Sequence, residues 1–156
     1  MKQRHFDQLP KPYAAYGRVL KGLVLKPKNR QNTLPEVEYV VDRLLIDSKH
    51  LAAYRKVCGF GQPDRLPATY LSVLSQSLQM AMMTEEAFPW PVMGLVHIAN
   101  QVRQYRPIGP QETLKLSVRF GDTRPHDKGT AFDFLTTAHS GSELVWEGRS
   151  TYLVRH

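Results

Sequence analysis

Cysteine is nearly absent: Cys58 is the one thiol among 156 residues. That excludes an internal disulfide and any multi-cysteine zinc site. Its place at the end of an apolar helical stripe predicts a packed thiol, since free cysteine is among the most buried residue types. No apolar run approaches the ~20 residues a membrane helix needs. The start, Met-Lys-Gln-Arg-His-Phe-Asp, has positive charge without an apolar stretch behind it, so it does not read as a secretory signal and a cytoplasmic location is expected. No Gly-x-Gly-x-x-Gly follows a strand, no phosphate loop ends in Gly-Lys-Ser/Thr, and no histidines pair at helical spacing. Nucleotide cofactors and metals are therefore not expected. Acidic residues are scarce in the first thirty positions, where Asp7 alone faces Lys11, Arg18, Lys21, Lys26, Lys28 and Arg30. The net charge is +7, and such a segment attracts anions or is simply solvated. Nucleic-acid binding would rest on this charge alone, because Tyr13, Tyr16 and Trp90 are not interleaved with it as a stacking platform.

What is present suits one globular domain with one core. Tyr13 to Leu25 has no clean period and reads as extended, and Lys26 to Pro35 reads as a loop. Residues 1–35 are taken as a basic N-terminal segment and 36–156 as the domain. Alternation from Val37 to about Ile46 predicts a strand. Asp47 or Ser48 can cap the helix Ser48 to Cys58, where Leu51, Tyr54 and Val57 with Cys58 form an apolar stripe and Gly59 and Gly61 end it. A second helix is predicted over Thr69 to Met83, with Leu71, Leu74, Leu78, Ala81 and Met82 on one face. Met80, Met82 and Met83 suit core filling or an acyl-chain surface. Four strands follow: Leu95 to Tyr105, Thr113 to Phe120, Thr130 to Ala138 and Leu144 to Val154. Arg124 to Gly129 and Ser140 to Ser142 supply turns. Strand, helix and a meander of strands imply an α+β layer.

His5, His50, His126, His139 and His156 lie in polar settings and read as ordinary surface residues. His97 differs. It opens an apolar strand just after Gly94, and a half-buried imidazole there needs either a structural carbonyl or a substrate as partner.

The block Gly59-Phe60-Gly61-Gln62-Pro63-Asp64-Arg65, then Pro67-Ala68-Thr69-Tyr70, then Gly94-Leu95-Val96-His97 through Tyr105-Arg106-Pro107, resembles the MaoC-like acyl dehydratases and (R)-specific enoyl-thioester hydratases. In those proteins the turn after the helix reads roughly Gly-Asp-x-Asn-Pro-x-His, and its Asp and His activate water across an enoyl thioester. Here Gly59 and Pro63 match, while the catalytic positions fall on Phe60 and Arg65, neither of which serves as a general acid or base. The later segments resemble the Pro-Pro-Thr-Phe and Leu-His-Gly-Glu…Tyr-x-x-Pro stretches of the non-catalytic half of double-hotdog hydratases. The likeness covers residues 37 to about 155.

The resemblance implies a single hotdog domain, an antiparallel sheet wrapped around a central helix, with the Ser48 to Cys58 rod expected in the cradle. It further implies sheets paired edge to edge in a homodimer or a hotdog heteromer, with the acyl-thioester site at that interface. The expected chemistry is hydration or dehydration of an enoyl or 3-hydroxyacyl thioester. His97 and Asp64 are the candidate catalytic pair, and Gly94, Arg65, Tyr70 and Asn100 the candidate substrate-binding residues. No separate cofactor is expected, since coenzyme A or phosphopantetheine would enter as part of the substrate. Acyl-coenzyme A or an acyl-carrier protein would be the partner. The alternative is a non-catalytic hotdog subunit that binds acyl thioesters or completes a heteromer with an active partner.

Overall fold

The computed structural model describes residues 1–11, 17–20 and 32–156. Its elements run β1 (Lys2–Phe6), β2 (Val37–Leu44), α1 (Ser48–Cys58), α2 (Tyr70–Met83), β3 (Leu95–Gln104), β4 (Leu114–His126), β5 (Gly129–Ser140) and β6 (Glu143–Arg155). The described strands form one six-stranded sheet in the order β1-β2-β4-β5-β6-β3. All neighbours are antiparallel except β1 and β2, which run parallel. The α+β hotdog expectation holds.

The helix against the sheet is α2, and this corrects the expectation that Ser48 to Cys58 is the cradled rod. The reason is compositional. α2 carries no charged side chain in its fourteen residues, and nine of them are buried, including Leu71, Leu78, Ala81, Met82 and Met83. A helix without a charged face gains only by burial, each large apolar side chain contributing roughly 1.5–3 kcal/mol. α1 instead holds Lys49, His50, Arg55 and Lys56, and buries only Leu51. Its expected stripe is thin: Val57 is 86% exposed, and Cys58 is exposed rather than packed.

α1 itself forms over the residues expected. Asp47 accepts from the Lys49 and His50 N–H groups at 2.9 and 3.2 Å, satisfying two orphan donors. Gly59 ends the helix in a left-handed conformation, φ 77°, donating to Arg55 O. α1 then packs its Tyr54 ring 5.1 Å from that of Tyr70 at the start of α2.

Opposite α2 the sheet supplies Phe120, Phe132, Phe134 and Trp146, and the loop before β3 adds Phe88 and Trp90. Phe88 meets Trp90 edge-on at 5.7 Å and Trp90 stacks on Phe132 at 5.3 Å. With Met82 and Met83 buried among them, these residues fill core.

Three boundaries differ from the sequence reading. β4 continues past Phe120 to His126 through a bulge between Phe120 and Thr123, so the expected turn shrinks to Asp127 and Lys128. β1 joins residues 2–6 of the basic segment to the sheet. Residues 17–20, read as extended, are helical, while the rest of Tyr13 to Leu25 lies largely outside the described residues, as do Lys26 to Gln31.

A polar line from the core to the open sheet edge

Along α2, Ser72, Ser75 and Gln79 recur at three- and four-residue spacing and are all buried. Burying unpaired polar groups is costly, so each must find a partner. Ser75 Oγ donates to Ser72 O at 2.8 Å, and Gln79 Nε2 donates to Ser75 Oγ and to Ser150 Oγ of β6, both at 3.3 Å. Ser150 Oγ passes its own proton to Asn100 Oδ1 on β3 at 3.1 Å, while Asn100 Nδ2 donates to Ser72 Oγ at 3.3 Å. Tyr152 OH donates to Gln79 Oε1 at 3.0 Å, and burial pushes its phenol above the ordinary range. The His97 ring lies on Tyr152, centroids 4.7 Å apart and nearly coplanar at 14°. The line thus leads from inside the helix–sheet layer to two exposed residues of β3, to Asn100 through hydrogen bonds and to His97 through ring stacking.

β3 is an edge strand, paired only with β6 among the described residues. Three positions apart on a regular strand, His97 and Asn100 would point to opposite faces. They do not, because His97 pairs with Tyr152 and Ala99 with Thr151, so Ile98 is an extra residue that resets the alternation. The bulge turns both His97 and Asn100 to the α2 face.

The other expected site residues are dispersed. Gly94 precedes β3 with φ 99°, and a Cβ there would meet nothing within 4 Å. Its glycine serves backbone conformation rather than close approach. Tyr70 is fully buried and its hydroxyl bonds His50 Nδ1 at 2.7 Å, with burial, and then the Asp47 charge, pushing the phenol up to about 12. His50, read as an ordinary surface residue, is thus a partner of this buried group. Asp64 lies in the exposed turn after α1, its carboxylate 3.4 Å from Arg65 NH2, which holds it below the usual range. No hydrogen bond or ion pair joins Asp64 to His97 among the described residues. The turn itself is pinned by Arg55, whose NH2 donates to Arg65 O at 2.6 Å and Pro63 O at 3.3 Å. Arg65 Nε is buried without a hydrogen-bond partner. Phe60 stacks on Tyr54 at 5.9 Å.

Sequence reasoning missed Ser72, Ser75, Gln79, Ser150 and Tyr152. The signal was available for the helix: three polar residues at three- and four-residue spacing on a helix without charge.

No family model matches the chain. It is 32% identical over 124 residues to 3-hydroxyacyl-thioester dehydratase X of Mycobacterium tuberculosis, covering 80% of this chain and 44% of that protein. The crystal structure of HtdX from the same organism superposes with a TM-score of 0.70 at 31% identity, covering 76% of this chain and 51% of that one. The HadBC complex, a 3R-hydroxyacyl-ACP dehydratase of M. tuberculosis, matches in fold with a TM-score of 0.61 at 11% identity, over 78% of this chain and 97% of that one. The chain spans about half the length of the dehydratase it matches in sequence.

Proposed function

This chain belongs to the MaoC-like hotdog dehydratase family, and from that premise we propose that it takes an enoyl or 3-hydroxyacyl thioester at the open edge of β3. The observation that carries the reading is the bulge at Ile98, which presents an imidazole and a carboxamide on one face beside the buried polar line. His97 is the acid/base group. Stacking on Tyr152 fixes its ring plane while leaving its nitrogens open, and an imidazole exchanges protons near neutral pH. In hydration it would take the proton of a water attacking the β-carbon and deliver it to the α-carbon of the resulting enolate. In the reverse direction it would take the α-proton and give it to the leaving hydroxyl, which departs as water.

Asn100 suits the thioester carbonyl. One of its two N–H donors is held by Ser72, and the second remains for an oxygen that gains charge as the α-carbon becomes nucleophilic. The Gly94 N–H is a further candidate donor. Arg65, whose side chain is partly exposed on the turn after α1, would meet a phosphate of coenzyme A or of a carrier-protein arm. A second hotdog unit paired along β3 would complete the site, as a second copy of this chain or a related subunit.

A second reading has its own support. Phe60 and Arg65 stand where the resemblance expects Asp and His, and Asp64 does not contact His97. On that reading the chain binds acyl thioesters or completes an active partner without turning over.

One pair of measurements separates the two. Crotonyl-coenzyme A is titrated calorimetrically and its hydration is followed by loss of enoyl absorbance, for the wild type and His97→Ala. Turnover that falls by about a hundredfold or more in the variant supports catalysis, in keeping with general acid–base contributions. Binding without turnover supports the second reading, and equal rates in both proteins remove His97 from the mechanism.

A further inference from the structure

The outer face of the sheet, turned away from α2, holds a separate feature. Its register aligns Glu38, Arg119, Leu135, Arg149 and Gln101 in one row across five strands. The adjoining row holds Thr137, Glu147 and Arg103. A groove of about 530 Å³ opens over these rows, its floor at Leu135 and its walls including Gln101, Arg103, Arg119, Glu147 and Arg149.

Three guanidinium groups line this groove against one carboxylate, and none of the three has a full counter-charge. Arg119 forms no hydrogen bond or ion pair among the described residues, while its cross-strand neighbour Glu38 accepts from Ser117 Oγ at 2.8 Å. Arg149 approaches Asp133 Oδ2 only to 3.9 Å. That carboxylate is already taken by Arg124 through both oxygens, at 2.8 and 3.2 Å, and by the Thr151 hydroxyl at 2.6 Å. Arg103 lies over the Tyr105 ring at 5.1 Å, and Glu147 accepts from Tyr105 OH at 2.7 Å. Like charges gathered in a concavity repel unless an anion joins them, and planar guanidinium forks match phosphate oxygens in pairs. Arg119 and Arg149 sit two strands apart, so their backbones are roughly 10 Å apart by sheet spacing. Across that separation two long side chains suit a group with two anionic centres better than a single carboxylate.

We propose that this groove is a binding site for a small phosphate-bearing ligand, with a diphosphate or bisphosphate held between Arg119 and Arg149 and Arg103 closing the third side. It lies across the sheet from the polar line and does not depend on the acyl-thioester reading.

Two probes distinguish the source of the phosphate: inorganic pyrophosphate and adenosine 3′,5′-bisphosphate, each titrated calorimetrically into the full chain at low salt. Both are expected to bind saturably at one site, weakening as salt rises. A tighter nucleoside bisphosphate assigns a nucleotide ligand, and equal affinities assign the bare anion. Arg119→Gln with Arg149→Gln is expected to weaken binding by about tenfold or more, since each removes a charge-assisted hydrogen-bonding fork. Arg43→Gln, on exposed β2 surface outside the groove lining, serves as the control and is expected to leave it unchanged. Circular dichroism checks that the variants fold. Absence of saturable binding by the wild type, or a weakening of less than about tenfold in the double variant, overturns the proposal.

Discussion

The two edges of the sheet are built on opposite plans. β1 is five residues long, reads Lys-Gln-Arg-His-Phe, and is tied down by side chains: Arg4 donates to Glu85 at 2.7 Å and His5 meets Asp42 at 2.7 Å. β3 is ten residues long, with Val96 and Ile98 about two-fifths exposed and no strand beyond it among the described residues. Short, charged edges discourage further pairing, whereas long apolar ones invite it. One edge is guarded against pairing and the other is open to it, and the residues proposed for chemistry lie on the open side.

Four experiments test that contrast. Val96→Asp with Ile98→Asp places like charges where a second β3 would pair. Association measured by analytical ultracentrifugation is expected to weaken by roughly a hundredfold, about 2.7 kcal/mol. An unchanged mass distribution would instead make both edges equally closed. Gln79→Leu removes the centre of the polar line and strands the Tyr152 hydroxyl, while Ser150 keeps its bond to Asn100. A loss of about 1–3 kcal/mol in urea unfolding is expected, the cost of leaving buried groups unsatisfied.

The third concerns the end of β3, where Arg106 joins Glu112 at 2.7 Å and Glu143 at 3.0 Å. The Arg106 hydrogen bond, against the opposing effect of burial, holds the Glu112 carboxyl down at about 2, from an ordinary 4.5. Because the folded value is the lower one, this stabilisation is complete above the ordinary value and is lost as pH falls toward 2. Glu112→Gln should therefore flatten the acid limb of a stability–pH curve between those values, and an unaltered limb would discount the anchor. The smallest effect is expected at the defended edge. Arg4→Ala should cost about 1 kcal/mol or less, as exposed ion pairs do, and show itself mainly as faster amide exchange in β1.

Much of the architecture was legible because it is local. Asp47 and Gly59 bracket α1 through caps that a few neighbouring residues define, and the alternating runs located β2 to β6 to within a few positions of most ends. The choice of central helix was less so. α1 and α2 both carry apolar stripes, and only the absence of charge on all sides of α2 distinguishes the buried one. The site was legible in part. His97 stood out and Asn100 was a candidate only through the resemblance, but their shared face depends on an extra residue relative to β6, which pairing alone reveals. Ser150 and Tyr152 acquire meaning from Gln79 far away in the chain, and no local pattern encodes such a bond. Cys58 was misjudged because a helical stripe says which residues share a face, not whether anything covers it.

The position of β6 has a consequence for biogenesis. It is the last of the strands to be synthesised, yet it sits between β5 and β3. Until it emerges from the ribosome, β3 has no neighbour to pair with and the chargeless α2 lacks part of its cover. The nascent domain therefore passes through a stage in which its stickiest surfaces are bare.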